Sequence, residues 1–76
     1  MKEFIITIAK ALVDDPELVS VKEIYGSQIM ILELTVTKPD VGKVIGKKGK
    51  TASAMRTLLN AISAKNEKKV VLEILD

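Results

Sequence analysis

The 76-residue chain has no cysteine, no histidine and no tryptophan, and only one phenylalanine (Phe4), one tyrosine (Tyr25) and two prolines. Without Cys or His there is no zinc finger, thiol nucleophile, imidazole base or Ser-His-Asp triad. We therefore expect no catalysis, no cofactor and no metal. Lacking a disulfide framework, a chain this short must be one domain held by one apolar core, which its 47% hydrophobic content allows. No uncharged run approaches the ~18–20 residues of a membrane span. The amino end has an apolar stretch, but Lys10 interrupts it and Asp14-Asp15 stands in place of a small-residue cleavage site, which is unlike a signal peptide. The expectation is a soluble, cytoplasmic protein with no membrane partner.

Charge of one sign is also scarce overall, with 12 Lys plus Arg against 10 Asp plus Glu. A net +2 points to no polyanionic partner until it is divided by position. From Lys38 to Arg56 lie Lys38, Lys43, Lys47, Lys48, Lys50 and Arg56 with one acid, Asp40, a local +5; the remainder carries −3. That quarter also holds three of the four glycines, Gly42, Gly46 and Gly49.

Phe4, Ile5, Ile8, Ala9, Leu12 and Val13 share one stripe of a helix from about Lys2 to Val13. Asp14-Asp15-Pro16 ends it, because the residue before a proline avoids helical angles. Leu18 to Tyr25 and Gln28 to Thr37, separated by Gly26-Ser27, read as an antiparallel hairpin. In the second strand Met30, Leu32, Leu34 and Val36 face one side, and Ile29, Ile31, Glu33 and Thr35 the other. Pro39-Asp40 signals a helix start, with Asp40 as cap for a short helix from about Val41 to Ile45. Gly46 and Gly49 stop it, and Ala52, Met55, Leu58, Leu59 and Ile62 mark a longer helix from Lys50 to about Ala64. A polar loop, residues 66–69, leads to a last strand from Val70 to Leu75. Two helices between the second and third strands are long enough for a right-handed crossover that sets those strands parallel. The resulting expectation is an α/β (α+β) fold, helix-strand-strand-helix-helix-strand, with three helices on one face of a three-stranded mixed sheet.

Lys43-Val44-Ile45-Gly46-Lys47-Lys48-Gly49-Lys50-Thr51 is the stretch that carries chemistry. Two glycines bracket two lysines where one helix ends and the next begins, so a ligand backbone can approach without meeting a side chain. The first amides of the following helix add donors at the positive end of its dipole. Taken alone, such a segment is as well read as a solvated turn between packed helices. Gly49-Lys50-Thr51 also ends like a P-loop, but the first glycine of that motif would have to stand where Val44 does, and a P-loop follows a strand.

Val44-Ile45-Gly46-Lys47-Lys48-Gly49 resembles the V-I-G-x-x-G signature of the K-homology (KH) RNA-binding domain, and the order of elements resembles its type II form. Over nearly its whole length the chain is similar to the small bacterial single-KH-domain proteins of the KhpA family. The resemblance implies a single type II KH domain over residues 1–76. It also implies a non-catalytic single-stranded RNA-binding protein of the cytoplasm, a post-transcriptional regulator or RNA chaperone. Its members pair with themselves or with a larger Jag-type KH protein. Gly46 to Gly49 would then clamp the RNA backbone, with Lys43, Lys47, Lys48 and Lys50 pairing with phosphates. Ile45, with Ala52 and Ala54, would flank an apolar groove whose far side is the strand from Val70, and Thr51 closes the binding segment. Ala52 departs from the bulky aliphatic residue usual there, which leaves base preference open. Composition agrees with this mode: two aromatics cannot supply the stacking platform of an RRM-like sheet.

A rival reading makes dimerisation the function and RNA affinity incidental. If all helices cover one sheet face, Ile29, Ile31, Val71 and Leu75 lie on the other, where an apolar patch marks a partner surface. A one-residue error in strand register would reverse that assignment. Asp14 and Asp15, adjacent and before a proline, read as a solubilising helix end rather than an acid-base pair.

Overall fold

The computed structural model describes residues 1–66 and 68–75, the side chain of Asn66 excepted. The chain runs through α1 (Lys2–Leu12), β1 (Ser20–Tyr25), β2 (Ile29–Thr35), α2 (Val41–Ile45), α3 (Lys50–Asn66) and β3 (Lys69–Leu75), with one-turn 3₁₀ segments at Pro16–Leu18, Lys38–Asp40 and Lys47–Gly49. The sheet order is β1-β2-β3, antiparallel between β1 and β2 and parallel between β2 and β3. This is the expected α+β architecture, and its parallel pair follows from the two-helix crossover.

The alternation in β2 decides which face is buried. Met30, Leu32 and Leu34 are buried and face Val70, Leu72 and Val21 through the register pairs Met30↔Val70, Leu32↔Leu72 and Val21↔Leu34. Ile5 and Ala9 of α1, Val44 of α2, and Met55 and Leu59 of α3 join them in one cluster. The opposite face is uncovered, and the strand register has the sense the alternation predicts. Ile29 and Leu75 are 38% and 36% exposed there, while Ile31 and Val71 are half-buried. Charged Lys22, Glu33, Lys69 and Glu73 share that face by register, so the apolar patch is interrupted rather than continuous.

β2 runs Ile29–Thr35 rather than 28–37 and α1 ends at Leu12; three other boundaries differ from expectation for local reasons. β1 starts at Ser20, two residues late, because Pro16 opens a turn in which the Leu18 and Val19 amides donate to Asp15 and Pro16 carbonyls (3.1 and 3.2 Å). α3 runs to Asn66, and β3 already begins at Lys69. The expected polar loop thus shrinks to residues 67–68, and Glu67 lies outside the described residues. No helix among them is long and apolar enough to cross a membrane.

Asp40 differs in role. It precedes α2 but makes no side-chain capping bond to that helix. Its carboxylate, 1% exposed, instead accepts the amides of Asp14 (3.2 Å) and Asp15 (3.1 Å), the Thr37 hydroxyl (2.9 Å) and the Lys43 ammonium (3.4 Å). The orphan donors after α1 thereby tie its end to the start of α2. Burial alone would raise this carboxyl's pKa; the bonds from Asp14, Asp15, Thr37 and Lys43 outweigh it and hold the value below the ordinary one. A lowered folded value means the stabilisation is complete above the unfolded carboxyl's ~3.9 and is lost as pH falls through the folded value. Asp40→Ala, which removes the acceptor of four donors of which Lys43 alone keeps another, Asp14, is expected to lower the thermal midpoint at neutral pH by roughly 10 °C. Thermal melts from pH 7 downward check this: the gap between wild type and variant narrows in acid, whereas a constant gap would assign the loss to packing.

Candidate nucleic-acid interface

The turn between α2 and α3 is shaped by three residues in unusual backbone conformations. Gly46 has φ 80° and ψ 169°, Gly49 has φ 73°, and Lys48 between them is left-handed at φ 56°, ψ 27°. Gly46 ends α2, its amide donating to the Gly42 carbonyl (2.9 Å), and the Gly49 amide donates back to Gly46 (3.0 Å). As the first two residues of a one-turn 3₁₀ segment, Lys47 and Lys48 have amides for which the turn itself supplies no acceptor. Successive amides freed by such a turn form an anion-binding concavity. α3 begins immediately behind it, its positive end facing the same way.

Thr51 explains the first glycine. A Cβ on Gly46 would lie 2.7 Å from Thr51 Cβ and 2.8 Å from its amide nitrogen, whereas one on Gly49 would meet nothing within 4 Å. Thr51 therefore supports the turn from within. Ile45 stands 38% exposed at the turn's edge. Ala52, only 3% exposed, belongs to the buried side of α3, while Ala54 is exposed.

The lysines divide into two sets. Lys43 is held by Asp14 at 2.6 Å and Asp40 at 3.4 Å. The bond to Asp14 foremost, with Asp40 beside it, raises the Lys43 pKa against the opposing effect of burial. Lys47, Lys48 and Lys50 are exposed and make no ion pair among the described residues. Of the six cations behind the local +5, three point outward around the turn, Lys43 is already partnered, and Lys38 and Arg56 lie to either side.

Beside the turn, a groove of about 260 Å³ separates α3 from β3 and is lined by Arg56, Asn60, Lys69, Val70, Val71 and Leu72. Its far wall is the strand expected to complete it. β3 is an edge strand, and Arg56 crosses to it, donating from Nη2 to the Leu72 carbonyl (3.3 Å). Gly49, Ser53, Arg56 and Asn60, spaced four, three and four apart, follow one face of α3. Turn and groove therefore form one continuous track. Arg56 was visible in the sequence only as a charge and Asn60 not at all; their spacing from Gly49 was the available signal. A second hollow, about 350 Å³ and lined by Phe4, Leu58, Ala61, Ile62 and Lys65, lies around α3 from the first. It is larger and apolar, but it carries neither the first two amides of the turn nor the three lysines. No cluster of three acidic, His or Cys side chains among the described residues could hold a metal ion.

A family model described as "KhpA/KhpB, KH domain" matches residues 2–74, every element that builds this interface. The chain belongs to the KhpA/KhpB KH-domain family. This KH family is non-enzymatic, in keeping with the missing Cys and His. Relatives named "RNA-binding protein KhpA" include one from Chlamydia caviae, 53% identical over 76 residues, all of this chain and 97% of that protein. One from Caldanaerobacter subterraneus is 53% identical over 75 residues, 99% of this chain and all of the relative. One from Aquifex aeolicus is 47% identical over 76 residues, all of this chain and 96% of the relative. No solved structure matches the chain.

Proposed function

We propose that this KhpA/KhpB-family protein binds single-stranded RNA without catalysis, as a post-transcriptional regulator or RNA chaperone of the cytoplasm. The observation that carries the reading is the Gly46–Gly49 turn, whose first two amides the turn leaves open among three exposed lysines, beside a groove between α3 and β3. Phosphates sit on the amides and on Lys47, Lys48 and Lys50; Ile45 and Thr51 shape the turn; bases enter the groove between α3 and β3. Lys43 contributes by closing the Asp14–Asp40 strap behind the turn and adds a weaker, already neutralised field. The names of the relatives and the family assignment support the same ligand.

All parts of this clamp come from one chain. Pairing with a second copy or with a larger Jag-type KH protein would add avidity without supplying a missing group.

Three neutralised phosphates set the salt dependence. At ~0.7 per phosphate for single strands, log affinity should fall against log salt with a slope of about −2. Fluorescence anisotropy of a labelled oligoribonucleotide across a salt series measures it. A slope near zero would contradict the clamp and favour a partner bound by apolar contact.

A further inference from the structure

The exposed aromatic residue stands at the far end of the same track. Tyr25 closes β1 and is 66% exposed, whereas Phe4 is half-buried against the core. Through Met30, Tyr25 is in register with Val70, which lines the groove. This end of the sheet is tied together: the Gly26 amide donates to the Ile29 carbonyl (2.7 Å), and the Lys69 amide donates to the Gln28 carbonyl (3.1 Å). Lys68 Nζ lies 5.8 Å from the centroid of the Tyr25 ring, and Lys69, its neighbour in sequence, is a groove residue. Glu23 is foremost among the causes that raise the tyrosyl pKa, and the ring is open on its surface. Two acids, Glu23 and Glu3, act on the ring's hydroxyl end, while the ammonium of Lys68 lies over its face.

We propose that Tyr25 is a stacking site for one RNA base beyond those held in the groove, with Lys68 carrying the phosphate between. The proposal rests on the clamp reading and extends it. From Gly49 to Asn60 the track runs about 16 Å at 1.5 Å per residue, room for the roughly four nucleotides of a KH footprint. A strand leaving past Lys69 must cross two strand spacings, about 10 Å, to reach β1, a distance that one or two further nucleotides cover. An aromatic face with an ammonium already on it suits a base, because stacking tolerates any base and the lysine stays to meet the phosphate.

The chain has one tyrosine and no tryptophan, so its intrinsic fluorescence reports Tyr25 alone. Wild type, Y25F and Y25A are titrated against end-labelled tetramer and octamer RNA pools of randomised sequence, with affinity read by anisotropy of the label and tyrosine emission followed in wild type. The expected result is quenching of the wild-type emission by octamers but not tetramers. Y25A should lose at least about fivefold in octamer affinity, with tetramer affinity unchanged and Y25F equal to wild type. Additional registers on the octamer favour all three proteins alike. Equal octamer affinity of wild type and Y25A, with tetramer binding intact, would overturn the Tyr25 proposal and leave the clamp standing. Failure of wild type to bind either pool would overturn both.

Discussion

Gly46→Ala lowers the thermal midpoint by roughly 10–20 °C, while Gly49→Ala lowers it by roughly 4–8 °C, although both glycines have positive φ. At Gly49 a methyl group enters open space, and the cost is only that of a left-handed non-glycine residue, about 1 kcal/mol. At Gly46 the pair φ 80°, ψ 169° lies in territory that only glycine uses freely. The added carbon also presses on Thr51 Cβ and its amide nitrogen at 2.7 and 2.8 Å. Backbone cannot yield as a flexible side chain can, so the total reaches about 2–3 kcal/mol, and each kcal/mol moves the midpoint of so small a domain by ~4–8 °C. Thermal unfolding by circular dichroism checks the ratio. Equal losses at the two sites would mean that Thr51 does not brace the turn.

The contrast between these glycines marks where sequence reading stops. The spacing of Gly46 and Gly49 at a helix junction, their lysines and the surrounding order of elements were all visible in one dimension, because period and punctuation are local properties. The buried face of β2 was equally visible, since alternation of Met30, Leu32 and Leu34 has one solution once helices cover a single side. Contacts between residues far apart in sequence were not visible. Asp40 looks like a cap for the helix it precedes; its carboxylate turns instead to amides 25 and 26 positions earlier, because those donors follow the end of α1, where the helix supplies no acceptor. The same event removes Lys43 from the free charges, which no count of lysines could foresee. Arg56 is a parallel case, its Leu72 partner being 16 residues away on the edge strand.

The charge arithmetic changes accordingly. A local +5 in the sequence becomes, in three dimensions, three exposed lysines set around the first two amides of the turn, with Lys43 spent on a strap, Arg56 on the groove and Lys38 exposed ahead of α2. That arrangement is narrower than the charge run and more specific, and it predicts which substitutions matter.

The measurement that bears most directly on the clamp is the affinity for single-stranded RNA of Lys47→Asp/Lys48→Asp beside wild type. Both side chains are exposed, and aspartate tolerates the left-handed conformation of position 48, so the fold and thermal midpoint should hold. Near 0.1 M salt each phosphate contact contributes about 0.7 of a decade. Losing two costs about 25-fold, and repulsion between the new carboxylates and the phosphates brings the expected loss to about 100-fold or more. An affinity within about threefold of wild type, in a variant shown to be folded, would contradict the clamp at Gly46-Lys47-Lys48-Gly49.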